Sequence, residues 1–188
     1  MRQQTLTLNR VYFLICLSLS LGLMHTIAAA APLDFPVPEL SHELTKLKQP
    51  IPAPPFKLPD MDSEEHTLAQ YKGKVVMLNF WGTWCPPCRR EMPSMETLMQ
   101  EYKDRPFTVI AINEWESEDI VFPYLGQIDL TPSFPILFDK SGEIAEQYKV
   151  GGLPTTYIIN KQGQIVYRAI GGRDFNHPEV RKLLQDLM

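Results

Sequence analysis

Apolar positions recur along the chain at two spacings. The run Val75-Val76-Met77-Leu78-Asn79-Phe80-Trp81 is β-branched and aromatic with one polar member, the pattern of a strand buried on both faces. Phe107-Thr108-Val109-Ile110-Ala111-Ile112-Asn113 reads the same way. Between them Met92, Met95, Leu98, Met99 and Tyr102 follow helical spacing, so one stripe faces a core. Strand, helix and strand predict a parallel pair joined by a right-handed crossover. Residues 118–128 predict a helix that Pro123 breaks or kinks. Residues 136–138 predict a short strand and residues 143–150 a short helix. The runs 155–159 and 164–170 flank Asn160-Lys161-Gln162-Gly163, a strong antiparallel hairpin signal. A last helix is predicted over 177–188, capped by Asn176, with Val180, Leu183, Leu184 and Leu187 inward. The fold class is therefore α/β, a central mixed β-sheet flanked by helices.

The first part of the chain has a different pattern. Residues 1–31 begin with Arg2 and Arg10, continue through an apolar stretch from Val11 to Met24 and end in Ala28-Ala29-Ala30-Ala31. That is the layout of a secretory signal cleaved after a small residue, most simply Ala30. The alternative is a retained membrane anchor, since residues 11–33 carry no charge and are long enough to span a bilayer. Cys16 lies inside the apolar stretch and reads as an incidental apolar residue. Residues 32–52 are rich in proline and predict an extended, semi-rigid tether. Leu40, Leu44 and Leu47 within it allow a short amphipathic helix packed on the domain edge. The domain proper is placed at 53–188. At its start, Phe56-Lys57-Leu58 and His66-Thr67-Leu68 flank a polar turn, which predicts an N-terminal β-hairpin extension.

Chemistry concentrates where the first central strand meets its helix, at Trp84-Cys85-Pro86-Pro87-Cys88. Two cysteines three apart between a strand and a helix point to a redox dithiol. If Cys85 is the N-cap, Pro86 and Pro87 fill the first helical positions, where a missing N–H costs little. The Cys88 amide then reaches the Cys85 sulfur. That bond and the positive helix end favour a Cys85 thiolate. Cys88, one turn inside, is near enough to close a disulfide and to resolve a mixed one.

These residues carry a resemblance. Asn79-Phe80-Trp81-Gly82-Thr83-Trp84-Cys85-Pro86-Pro87-Cys88, then Glu91-Met92-Pro93, then Gly151-Gly152-Leu153-Pro154-Thr155-Thr156 resemble the thioredoxin superfamily. Within it they resemble the exported TlpA/ResA group, related to the reductases of cytochrome c maturation. The similarity covers roughly residues 53–188 and implies a thioredoxin-like fold. It implies Cys85 as nucleophile, Cys88 as resolving cysteine and a redox-active Cys85–Cys88 disulfide. It implies Pro154 as a cis-proline that presents the backbone of Leu153 to substrate, and Trp84 as a rim residue facing substrate. Glu91 matches an acid that tunes the thiols or accepts a proton; the competing reading is a solvated helix residue. Asn79 stands where thioredoxins proper carry a buried Asp. Thr155 stands where the cytochrome c maturation reductases often carry an acid. No His lies between the cysteines, so a reducing to intermediate potential is expected, nearer the roughly −270 mV of thioredoxin than the roughly −120 mV of DsbA.

Composition narrows the function classes. The 188 residues carry a net charge of −4 and four scattered histidines, so there is no basic field for nucleic acid and no metal-ligand spacing in the sequence. Loss of the signal would leave Cys85 and Cys88 as the only cysteines. Export would place them where disulfides persist, in the periplasm or an equivalent compartment. The expected partners are protein disulfides and, as the family implies, a membrane thiol-reducing electron donor; contact with the membrane itself follows only if the anchor is retained. No cofactor is expected beyond the redox disulfide. The other reading is a Cu(I)-binding or metal-delivery protein, since two soft thiolates suit that ion. A peroxidase is disfavoured because a paired CxxC suggests exchange. Phe80, Trp81 and Tyr157 read as core residues, and Met92, Met95 and Met99 as helix core rather than a copper cluster. Glu114, Trp115 and Glu116 read as a loop with one half-buried tryptophan, at the strand end where α/β sites form.

Overall fold

A computed structural model describes residues 39–128 and 130–188. The signal or anchor segment and the first part of the predicted tether lie outside the described residues. Among the described residues, no helix is long and apolar enough to cross a membrane.

Strands β1 (Thr45–Pro52), β4 (Val75–Trp81), β5 (Phe107–Glu114), β6 (Ile136–Asp139), β7 (Thr155–Ile159) and β8 (Gln164–Ile170) form one sheet in the order β1-β8-β7-β4-β5-β6. The pairs β4–β5 and β5–β6 are parallel; β4–β7, β7–β8 and β1–β8 are antiparallel. The sheet is mixed, as the hydrophobic pattern predicts. β2 (Lys57–Pro59) and β3 (Glu65–Thr67) make the expected small hairpin. The helices are α1 (Pro86–Glu101), α2 (Glu118–Gln127), α3 (Glu143–Gln147) and α4 (Pro178–Leu187).

Alternation along β4 and β5 splits the core in two. Val75, Met77 and Trp81 join Val109 and Ala111 on one face, covered by Met92, Met95 and Leu98 of α1, Val121 of α2 and Val180 and Leu184 of α4. Val76, Leu78 and Phe80 join Ile110 and Ile112 on the other, covered by Leu58 and by Ile144 and Ala145 of α3. Both central strands are buried along their whole length, which is why they read as near-continuous apolar runs.

Three expectations are corrected. The tether does not run to residue 52, because Thr45–Pro52 is the edge strand beside β8 and the folded domain starts earlier than residue 53. Its prolines are compatible with pairing on one side only, and the register shifts between Lys46 and Ile51, as an irregular edge strand allows. Leu47 is thus in a strand, and Leu44 packs against the core just before it, so no helix forms there. The last helix is capped by His177, whose side chain accepts from the Glu179 N–H, rather than by Asn176.

Strand directions bring several connections to one edge of the sheet. The C-terminal ends of β4, β5, β6 and β8 meet the N-terminal ends of β7 and β1 there.

Candidate active site

Cys85 stands at that edge as the N-cap of α1, in extended conformation, with Pro86 and Pro87 in the first turn. The Cys88 N–H donates to Cys85 Sγ at 3.3 Å. The two cysteines form a disulfide with S–S 2.01 Å and Cα–Cα 5.3 Å. Cys88 is fully buried and Cys85 4% exposed, so Cys85 is the one of the pair nearer solvent. When the pair is reduced, the same amide and the helix N-terminus stabilise a Cys85 thiolate.

Leu153–Pro154 is a cis peptide immediately before β7. Because Thr155 pairs with Phe80 near the end of β4, this peptide lies at the same edge as the cysteines. Leu153 packs against the cluster that contains Cys85 and Cys88. The Pro154 carbonyl accepts from the Gly171 N–H at 2.8 Å, and Thr155 Oγ1 donates to the Gly152 carbonyl at 2.7 Å.

Glu91 is not a solvated helix residue. It is fully buried, on the α1 stripe that also carries Cys88, Met92, Met95 and Leu98. Its Oε1 accepts from Asn79 Nδ2 at 2.8 Å and its Oε2 from the Arg173 N–H at 2.9 Å. Asn79 Nδ2 also donates to Thr156 Oγ1, while Asn79 Oδ1 has no partner. Burial pushes the Glu91 carboxyl up to about 8, against the two hydrogen bonds that favour its charged form. An Asn79 amide turned over would offer Oδ1 to a protonated Glu91, so the site can accommodate either charge state.

The loop after β5 contributes more than was legible in the sequence. Glu116 is buried and accepts from the Thr83 N–H at 2.8 Å, from Thr83 Oγ1 at 2.5 Å and from Asn113 Nδ2 at 2.8 Å. It therefore ties the loop that carries Trp84 and Cys85 to the end of β5. Trp115, expected to be half-buried, is 58% exposed and lies stacked on Trp84, itself 56% exposed, with ring centroids 6.2 Å apart. Two glycines make room for these indoles. A Cβ at Gly82 would lie 2.8 Å from Trp84 Nε1, and one at Gly142 would overlap Trp115 Nε1. Trp115 itself has φ +62°, an uncommon backbone state for a bulky residue.

Glu114 is fully buried with neither carboxylate oxygen hydrogen-bonded. Desolvation, and then the neighbouring charge of Asp139, push it up to about 8. Asp139 is its register partner on β6, and its Oδ2 accepts from the Ala145 N–H. Met92 and Met95 are fully buried in the core, as their helical spacing predicts.

The six residues singled out in the sequence, Trp84, Cys85, Cys88, Glu91, Leu153 and Pro154, thus belong to one edge of the sheet and the helix that starts there. Residues 51–168 match the AhpC/TSA family. The chain belongs to that family. Within it, the chain is 44% identical over 113 residues to the thiol-disulfide oxidoreductase ResA of Geobacillus kaustophilus, covering 60% of this chain and 64% of that protein. It is 43% identical over 119 residues to the ResA of Bacillus cereus, covering 63% of this chain and 68% of that protein. Its structure is similar to a thiol:disulfide interchange protein of the thioredoxin family from Chlorobium tepidum, with a TM-score of 0.62 and 27% identity over 74% of this chain and 97% of that one. The thioredoxin-like fold and the thiol–disulfide oxidoreductase class are therefore those of its relatives, and this chain carries a Cys85–Cys88 disulfide at the start of α1.

Proposed function

We propose that this chain is an extracytoplasmic thiol–disulfide oxidoreductase that reduces disulfides in other proteins. The observation that carries this reading is the cysteine pair at the start of α1, with the Cys88 N–H directed at Cys85 Sγ. In the reduced protein the Cys85 thiolate attacks one sulfur of a substrate disulfide. A Cys85–substrate mixed disulfide forms and one substrate thiolate leaves. Cys88 loses its proton and attacks Cys85 Sγ. The Cys85–Cys88 disulfide closes and the second substrate thiolate leaves, so two electrons have passed to the substrate.

In this reading Glu91, three residues beyond Cys88 on the same buried stripe of α1, serves the second step. A carboxyl held at about 8 is close in proton affinity to a thiol, so transfer between them has little driving-force penalty. Trp84 and Trp115 form an apolar rim beside Cys85 on which the polypeptide around a substrate cysteine can lie. Regeneration of the dithiol needs a reductant, for which a membrane thiol-reducing protein is the natural donor. The basic and then apolar N-terminal segment supports delivery across a membrane, with the domain either released or tethered. Cytochrome c maturation or metalloprotein assembly is the setting to which the resemblance points.

The test is Cys88→Ser, expressed in the exported compartment. It is expected to accumulate mixed disulfides through Cys85, released by dithiothreitol and absent from a Cys85→Ser variant. Absence of any trapped protein, together with stoichiometric Cu(I) held by the reduced wild-type pair and lost in Cys88→Ser, would replace this reading with metal handling.

A further inference from the structure

The histidines, scattered in the sequence, are not all scattered in the fold. His42, in the segment that leads into β1, stacks on His177, the cap of α4, with ring centroids 3.6 Å apart and planes 14° from parallel. Glu179, in the first turn of α4, lies beside both: its Oε2 is 3.4 Å from His42 Nε2, and its N–H donates to His177 Nδ1. One ligand atom from each of the three residues falls within 4.8 Å of the other two. Backbone contacts on either side hold this arrangement. The Ser41 carbonyl accepts from the Asp174 N–H at 2.7 Å, and the Glu43 carbonyl accepts from Arg173 Nε at 2.7 Å.

We propose that His42, His177 and Glu179 form a binding site for a divalent transition-metal ion of the zinc type. Two imidazoles and one carboxylate suit that ion, whereas magnesium and calcium prefer oxygen ligands throughout. A tetrahedral ion about 2 Å from each ligand requires ligand atoms about 3.3 Å apart. The three atoms must therefore draw in, which rotation of the exposed Glu179 and the part-buried histidines permits. The ion takes the place of the 3.4 Å contact between His42 Nε2 and Glu179 Oε2. It also takes a lone pair of His177, whose 3.3 Å cap bond to Glu179 N–H is then given up. Water completes the coordination on the open side.

The site joins two pieces of chain that are remote in sequence. It closes the segment before β1 onto the start of α4, next to the loop in which the Arg173 N–H holds Glu91. A bound ion therefore stabilises the folded state and fastens the chain entering the domain at the catalytic edge.

The experiment is a calorimetric Zn2+ titration of the untagged full-length protein in its oxidised form, so that Cys85 and Cys88 are not available as ligands. One equivalent is expected to bind with a dissociation constant below about 100 μM, and saturating Zn2+ is expected to raise the melting temperature. His42→Ala and His177→Asn are each expected to weaken binding at least about tenfold and to abolish the thermal shift. His177→Asn keeps a helix-capping side chain, and circular dichroism of the metal-free variants checks that both remain folded. Absence of binding by the wild type, or undiminished binding by both folded variants, overturns the proposal.

Discussion

Glu91→Gln is the most informative single change, because it removes one ionisable group and leaves the shape of the site in place. Glu91 lies three residues beyond Cys88 on the same buried stripe of α1, so the two side chains are about 5–6 Å apart at Cβ. Two negative charges about 6 Å apart at an effective dielectric of roughly 20 repel by about 3 kcal/mol, on the order of a hundredfold in an ionisation equilibrium. In the reduced protein the carboxylate and the thiolate therefore resist ionising together and titrate as a coupled pair. The substituted glutamine can still be satisfied: its carbonyl accepts from the Arg173 N–H, and its amide faces an Asn79 turned to present the oxygen that now lacks a partner. The assay is the ultraviolet absorbance of thiolate in the reduced protein, followed from about pH 5 to pH 10, across the thiol and Glu91 range. Wild type is expected to lose its Cys88 proton late, because Glu91 ionises near 8. In the glutamine variant the upper step is expected to fall by about one to two pH units. Superimposable titrations of the two proteins would show that Glu91 does not act on the thiols.

Other perturbations separate the structural roles. Glu91→Ala leaves Arg173 N–H and Asn79 Nδ2 without their buried acceptor and opens a cavity, and should cost about 2–4 kcal/mol in denaturant unfolding. Glu114 is an acid raised above its ordinary 4.5 to about 8. Its contribution to stability is therefore present below pH 4.5 and is lost as pH rises toward 8. Glu114→Leu should raise the melting temperature at about pH 8 by more than at about pH 5, read by thermal denaturation. Gly142→Ala places a Cβ at φ +74° against Trp115, and should destabilise by about 1 kcal/mol or more and change tryptophan fluorescence as the Trp84–Trp115 stack shifts. Removing residues 1–52 takes away β1 and leaves β8 as an unpaired edge. That protein should aggregate or melt earlier than one that begins at residue 39, by light scattering and thermal unfolding.

The redox centre was legible because its signals are local. A cysteine at an N-cap, prolines in the first helical turn and a second cysteine one turn on are fixed by spacing along a few residues. The buried strands were legible for the same kind of reason: β4 and β5 have both faces covered, so nearly every position in them must be apolar. The helical phase of Met92, Met95 and Leu98 even includes position 91. A carboxylate there contradicts the apolar pattern, however, and sequence alone left it between a buried acid and a solvated one. Tertiary structure decided the matter, because Asn79 comes from β4 and the Arg173 N–H from the loop after β8.

The same limit explains the other corrections. Residues 45–52 look like a proline-rich linker because edge strands tolerate prolines and show little burial; only the need of β8 for a partner makes them part of the sheet. Glu116 gave no local sign of its role, since its three donors lie on Thr83 and Asn113, at the ends of two parallel strands. The exposure of Trp115 depends on Trp84 and on the space left at Gly142. Sequence by itself determined the central strands, the helices that cover them, the cysteine pair and its family resemblance, all carried by short-range spacing. Only the fold decided which polar groups are buried, which partners satisfy them and which aromatic rings stand beside Cys85, because those outcomes depend on contacts between segments far apart in the chain.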